Sequence, residues 1–418
     1  MSAWQLAVVF AISLCRMATT SSSPLIVGLN SALQRTLGLP CVVPGSVNRA
    51  TELEIGIGGK GQNAQLAASI MSKASPRLPT CSLVQFIGQG FEGDQLLSLQ
   101  DNKGMLTIGT TIRSAGRCRT CFTLLDQASD EATEIIEPSE TVSEMDVENL
   151  LETLKYKYRK EKAPGIAIMG RCVTIKCHTL QKTYSSFSFT LYLYSILYYY
   201  ISSHSMPPGC STDLYAQIIG ISCDSWSKVV IDSLVGLPEM LTTCASIGCE
   251  DVLLKVNARE LCKIANVDIE NILAQSESVA CIPTEMVKQA ASKLFADFEA
   301  LTYIATTDGP FPATFVSKSG EGSCTINTPV LPRPLVSPIG AGDTVSAGTL
   351  SYWSSSAGSD AGEALGAFQW GMSCASASCM NAGNAIFTID DASAIRSTLG
   401  TIPIPTRDFR EIFENESS

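Results

Sequence analysis

Six short apolar runs recur along the chain with helical stretches between them, and this alternation limits the fold more than any other feature. The runs cover residues 25–29, 83–87, 165–169, 229–232, 252–256 and 303–307. Helical patterns lie between them, for example at 145–155 and 285–300. Continuous apolar strands separated by helices predict an α/β fold, with a mostly parallel central sheet covered by helices on both faces. Ligands of such sheets bind at the carboxyl ends of the strands, where Asn30, Gly88, Asp232, Asn257 and Thr307 fall. Two segments, 37–55 and 107–136, break the rhythm with short extended runs such as 119–125 and 133–136. A length of 418 residues suits one large domain with a subdomain, or two domains.

Chemistry concentrates at two glycine turns. Pro338-Ile339-Gly340-Ala341-Gly342-Asp343-Thr344 reads as a tight turn that delivers Asp343 to the first turn of a helix running on through Val345, Ala347 and Leu350. Backbone N–H groups at a helix start lack partners and bind anions. An Asp beside them could take a proton from an alcohol while the amides hold phosphate oxygens. The plainer reading is an Asp that only stabilises the helix dipole.

The second turn, Gly56-Ile57-Gly58-Gly59-Lys60-Gly61-Gln62-Asn63, precedes an apolar helical run. Gly56, Gly58 and Gly61 satisfy G-x-G-x-x-G, but that dinucleotide fingerprint needs an acid at the end of the next strand. The run 81–87 offers none. A Walker A loop needs Ser or Thr after the Lys, where Gly61 stands. The third reading is a substrate cradle from which Lys60 and Asn63 project.

Taken together, Gly58-Gly59-Lys60-Gly61-Gln62-Asn63 and Gly340-Ala341-Gly342-Asp343 resemble the two signatures of the ribokinase-like PfkB carbohydrate kinases. The resemblance is closest to the phosphosugar branch of 1-phosphofructokinase, tagatose-6-phosphate kinase and the minor 6-phosphofructokinase. Further blocks follow in the family's order: residues 28–36, 88–94, Arg119, 230–233, Lys255-Val256-Asn257-Ala258-Arg259-Glu260, and Asn381-Ala382-Gly383. Three positions depart from it, one of them Val256 in place of the usual Pro. Gln34 stands where the family usually has an Asp that contacts sugar hydroxyls, and Pro312 replaces a loop glycine.

The resemblance implies a ribokinase-like domain over 24–402, with 37–55 and 107–136 forming a small β lid. It implies transfer of the γ-phosphoryl of ATP to a hydroxyl of a sugar phosphate of the fructose 1-phosphate, fructose 6-phosphate or tagatose 6-phosphate type. Asp343 would be the general base, with Gly340, Ala341 and Gly342 shaping the anion hole. Asn30, Gln34, Gly59, Lys60, Asn63 and Arg119 would bind the acceptor. Lys255, Thr307, Gly309 and Asn381 would face ATP. Asn257 and Glu260 would organise Mg²⁺, although Asn followed three residues later by Glu is also a plain helix cap. A homodimer through the lid is compatible with this picture. The other readings are a sugar-phosphate sensor without catalysis, a kinase of an unphosphorylated sugar or nucleoside, and an NAD-linked oxidoreductase.

A net charge of −11 argues against nucleic acid as the main partner. The sixteen cysteines are irregularly spaced, and Cys118-Arg119-Thr120-Cys121 lacks the second pair a zinc site wants. Mostly free thiols suit a reducing, cytoplasmic setting. Residues 6–14 form an apolar run of signal-peptide length without a preceding basic residue, so 1–23 is read as a leader or an upstream extension of the gene model. Residues 173–205 hold both histidines, His178 and His204, six of the eleven tyrosines, and no acid. They read as retained intron sequence or a surface insertion, and their apolar stretch 191–201 is too short and too polar to span a bilayer. Residues 403–418 read as a peripheral tail.

Overall fold

The computed structural model describes residues 23–107, 109–129, 131–158, 164–170, 206–221, 228–269, 281–356, 358 and 360–405. The expected leader (except Ser23), the 173–205 insertion with both histidines, and residues 406–418 of the tail lie outside the described residues.

The first half contains β1 (Leu25–Asn30), β2 (Ala32–Leu39), β3 (Glu52–Gly58), α1 (Lys60–Ala74), β4 (Ser82–Gln89), α2 (Phe91–Asn102), β5 (Thr111–Arg117), β6 (Arg119–Asp126), β7 (Glu131–Ile136), α3 (Glu144–Tyr158) and β8 (Ile166–Met169). The second half adds α4 (Leu214–Gly220), β9 (Val229–Asp232), α5 (Leu237–Ser246), β10 (Val252–Asn257), α6 (Ala258–Ile264), α7 (Thr284–Asp297), β11 (Tyr303–Asp308), β12 (Phe311–Ser317) and β13 (Cys324–Ile326). It closes with α8 (Ala341–Trp353), α9 (Ala361–Ser378), α10 (Ile389–Arg396) and β14 (Thr401–Pro403).

The main sheet has the order β14-β13-β12-β11-β10-β9-β8-β1-β4-β5. It is parallel from β11 through β5 and antiparallel from β12 outward. Every apolar run predicted as a strand is one. The reason is burial on both faces: Leu25, Val27 and Leu29 of β1 join one core, while Ile26 faces the other. Likewise Ile166 and Ile168 of β8 enter the first core, and Ala167 and Met169 the second.

A separate sheet of order β3-β2-β6-β7 forms the small lid. Its limits differ from the expected 37–55 and 107–136. The lid begins at Ala32, so Gln34 lies within it, and β5 belongs to the main sheet, paired parallel to β4. The mixed polar sequence of β5 is that of a sheet edge, which a lid strand shares, and periodicity cannot separate the two. The dinucleotide reading of Gly56, Gly58 and Gly61 fails here. That motif requires a parallel βαβ unit, whereas β3 is a lid strand antiparallel to β2. The tail expectation also needs correction at its start. Residues 401–403 form β14, an edge strand in which Ile402 pairs with Thr325, and Ile404 is buried. An edge position tolerates the prolines there.

Helix α1 lies directly on β1. A Cβ on Gly61 would fall 2.3 Å from the Gly28 Cα, so both positions must be glycine for the helix to seat. Gly61→Ala should therefore cost about 1–3 kcal/mol of stability through overpacking. Chemical denaturation checks this, and an unchanged midpoint would mean that α1 is not held against β1.

Candidate active site

The two glycine turns meet. Gly59 has φ 102 and Gly340 has φ 78, and each ends its turn at the start of a helix, α1 and α8 respectively. Asn63, in the first turn of α1, donates from Nδ2 to Asp343 Oδ2 at 2.9 Å. Both residues, with Lys60 and Gly340, line a cleft of about 670 Å³ between the carboxyl edge of the main sheet and the lid.

At the start of α8 the amide of Ala341 donates to Pro338 O at 3.2 Å. Ala341 is thus removed from the expected anion hole, and it does not line the cleft. The tight turn itself consumes that donor. The amides of Gly342 and Asp343 have no hydrogen-bond partner among the described residues, and both residues line the cleft. Together with the helix dipole they form the local anion-binding feature.

Charges are tightly arranged. Asp232, the last residue of β9, accepts from Lys60 Nζ at 2.8 Å, Lys255 Nζ at 3.2 Å and Ser346 Oγ at 2.7 Å. Lys60 also donates to Gly170 O at 2.8 Å and Lys255 to Gly342 O at 3.0 Å. Burial alone would raise the Asp232 carboxyl, but Lys255 and Lys60, with hydrogen bonds from Lys60 and Ser346, outweigh it and hold the group down at about 2. Burial would lower Lys60, yet the Asp232 and Asp343 carboxylates raise it. Asp343 goes the other way. Burial, reinforced by the nearby Asp232 charge, pushes its carboxyl up to about 6 against the pull of Lys60, Asn63 and Lys255. A carboxylate that exchanges its proton near neutrality suits acid–base work.

At the lid end, Arg119 of β6 donates from Nε to Ser31 O at 3.3 Å and from Nη2 to Asn30 O at 3.1 Å. Asn30 Oδ1 accepts from Ser139 Oγ at 2.8 Å. Gln34 Nε2 donates to Thr123 Oγ1 at 2.9 Å. Asn30, Gln34, Gly59, Arg119, Lys255, Asn257, Glu260 and Thr307 all line the cleft. Two expected nucleotide residues do not. Gly309 occupies the β11–β12 turn with φ 59. Asn381 donates back to Ala377 O at 3.1 Å, closing the end of α9, and Asn384 lines the cleft in its place.

Asn257 and Glu260 form a complete capping box at the start of α6, with Glu260 N to Asn257 Oδ1 at 2.8 Å and Asn257 N to Glu260 Oε2 at 3.2 Å. The plain cap reading of that pair is thus realised. The same pair sits at the cleft rim, and one carboxylate there is enough for a Mg²⁺ that keeps waters and substrate phosphate oxygens. The donor set fits such an ion. Sequence reasoning placed Asp232 at a strand end without giving it a role, and missed Glu134 of β7, which lines the lid end of the cleft. The signal for Asp232 was an acid closing an otherwise apolar strand; Glu134 left none.

No family model matches the sequence, and no curated protein does. Solved structures do. Phosphofructokinase-2 from Escherichia coli in complex with substrates and products superposes with a TM-score of 0.66 at 19% identity, over 90% of this chain and 98% of that one. A "possible 1-phosphofructokinase" from Thermotoga maritima gives 0.63 at 17% identity, over 91% and 99%. Ribokinase from Thermotoga maritima gives 0.57 at 16%, over 90% and 99%. The chain has the ribokinase-like fold. At these identities the likeness is one of architecture, and the side chains must carry the rest.

Keeping Asp343 ionised in this setting has an energetic consequence. Its folded value, about 6, lies above the unfolded one. The stability it contributes is therefore complete below pH ~4 and lost as pH rises through about 6. Asp343→Asn should be more stable than wild type by roughly 1–3 kcal/mol at pH 8, with the gap closing by pH 4. Denaturation at the two pH values reads this directly, and a variant less stable at pH 8 would contradict it.

Proposed function

We propose that the protein is an ATP-dependent kinase that phosphorylates a hydroxyl of a sugar phosphate, with Asp343 as the general base. The observation that carries this reading is the junction of the two helix starts. A buried carboxylate pushed up to about 6 sits beside two unpartnered amides and two lysines, in a cleft between the main sheet and the small sheet. Asp343 would accept the acceptor's hydroxyl proton as the oxygen attacks. The Gly342 and Asp343 amides would stabilise charge growing on the transferring phosphoryl group. Gly340 permits the left-handed turn that aims them.

Lys60 and Lys255 would balance phosphate charge. Thr307 would line the nucleotide side, with Asn384 rather than Asn381. Asn257 and Glu260 would hold Mg²⁺ at the rim, and that ion would supply neutralisation of the phosphate oxygens when bound. Asn30, Gln34, Gly59 and Asn63 would orient the acceptor. Arg119, braced by two backbone carbonyls, would face its phosphate. The lid would exclude water and so protect ATP from hydrolysis.

One observation favours a second reading of the acceptor. Glu134 shares the lid end of the cleft with Arg119, and a carboxylate there disfavours a dianionic group and suits the hydroxyls of an unphosphorylated sugar or nucleoside. The outward face of the lid carries Leu53 (56% exposed) and Ile135 (53% exposed). Register places Ile55, Arg35, Phe122 and Ile135 in one row across it. We propose that a second copy covers this face. Among the described residues no helix is long and apolar enough to cross a membrane.

An ADP-release assay over a panel of sugars, nucleosides and sugar phosphates tests the activity. Asp343→Asn should lower turnover by ~10²–10⁴, and wild-type kcat/KM should fall as pH drops below about 6, where the base becomes protonated. Arg119→Ala should raise KM for phosphorylated acceptors; an effect confined to kcat, or none, would favour the unphosphorylated class. Light scattering should show a dimer that Ile135→Glu splits, and a monomeric wild type would refute the lid interface.

A further inference from the structure

Asp232 takes no part in the proposed reaction, yet the residue is 3% exposed and its carboxylate makes three bonds of 3.2 Å or less. Its partners come from three elements. Lys60 opens α1, Lys255 lies on β10, and Ser346 is one turn into α8. Lys255 continues the chain of bonds to Gly342 O, one residue from Asp343. Lys60 continues it to Gly170 O, at the end of β8.

Without that carboxylate, two ammonium groups would share a water-poor corner with no counter-ion between them. After Asp232, the acid that acts most strongly on Lys60 is Asp343. The groups that face Asp343 are Lys60 and Asn63 from α1, Asp232 from β9 and Lys255 from β10, with Glu260 of α6 acting on Lys60 from further out. A lysine released from Asp232 would turn toward Asp343 and pair with it, which would spoil the base and withdraw the lysine from the substrate.

We infer that Asp232 is a positioning residue: it holds Lys60 and Lys255 off the Asp343 carboxylate, so that the lysines present their charge to the cleft and Asp343 stays able to accept a proton. The catalytic consequence rests on the kinase reading. The electrostatic part does not.

Replacing Asp232 removes a negative charge that raises Asp343 and frees two positive charges that lower it. Both changes act in the same direction. In Asp232→Asn, Asp343 should therefore titrate at least about one pH unit lower than in wild type. The acid limb of kcat/KM should follow it, and kcat should fall because the base is weaker. Asp232→Glu restores the charge and should return the limb toward its wild-type position. Ser346→Ala removes a hydrogen bond from Asp232 but no charge, so it should lower stability and leave the limb where it was. A merely structural Asp232 would behave like Ser346, losing stability with no change in the limb.

The deciding measurement is a carbon-13 carboxyl titration of Asp343 by NMR in wild type and Asp232→Asn, which needs no turnover. An unchanged Asp343 titration overturns the proposal. A downward shift in a protein that phosphorylates nothing upholds it and sinks only the kinase reading. Removing one partner of a buried ion cluster can prevent folding. The same comparison between Lys60→Gln and Lys60→Gln/Asp232→Asn then reads the effect of Asp232 in a background with one cation fewer. A downward shift upholds the proposal there also, and no shift overturns it.

Discussion

The candidate site depends on keeping charge of both signs together in one largely buried corner at the carboxyl edge of one sheet. A lone carboxylate buried there would take up a proton, and a lone ammonium would give one up. The Lys60–Asp232–Lys255 group avoids both outcomes, since each charge is desolvated only in the company of the others. Buried ion groups of this kind are weak contributors to net stability compared with well-packed apolar side chains. Their presence therefore points to placement of charge rather than to folding energy. The stability that tolerates them comes from the two apolar cores on either face of the sheet.

The sheet makes that corner available by simple geometry. Parallel strands all end at the same edge, so β1, β8, β9 and β10 deliver Asn30, Gly170, Asp232 and Asn257 side by side. Helices following such strands start at that edge, with their unpartnered amides directed into it. Close packing then fixes the helix positions. Gly28 against Gly61 sets α1 on β1, and Gly348 against Gly371 sets α8 on α9, with hypothetical Cβ contacts of 2.3 and 2.6 Å. The distance from Asn63 to Asp343 is a product of both packings, although 280 residues separate the two in sequence.

The parts visible in the sequence were those with a one-dimensional signature. Strands buried on both faces are continuous apolar runs, and all six were legible. The glycine turns were legible because a positive φ at Gly59 and Gly340 demands that residue. What stayed hidden depended on partners. The sequence of β5 is compatible with a lid strand or a sheet edge, and only its parallel pairing with β4 decides. Asn381 and Asn384 stand three apart after a helix, and nothing local says that the first turns back to Ala377 while the second reaches the cleft. Ala341 belongs to a glycine-rich turn like its neighbours, but the turn spends its amide on Pro338. Asp232 ends a strand as many solvated acids do, and its meaning appears only with Lys60 and Lys255 beside it.

The same dependence on charge balance gives Gln34 a physical meaning. Its amide nitrogen is committed to Thr123 Oγ1, which leaves the side-chain oxygen as the acceptor available to a hydroxyl. A carboxylate at that position would accept such a bond more strongly. It would also add a fifth carboxylate to a cleft already lined by Glu134, Asp232, Glu260 and Asp343. A further negative charge in that cleft would act on Asp343 in the same upward direction as Asp232. A neutral side chain at position 34 can therefore accept a hydrogen bond without adding charge to the cleft. The lid end and the Asp343 end of the cleft are linked through the total charge they share, and a substitution at either should be judged by its effect on that sum.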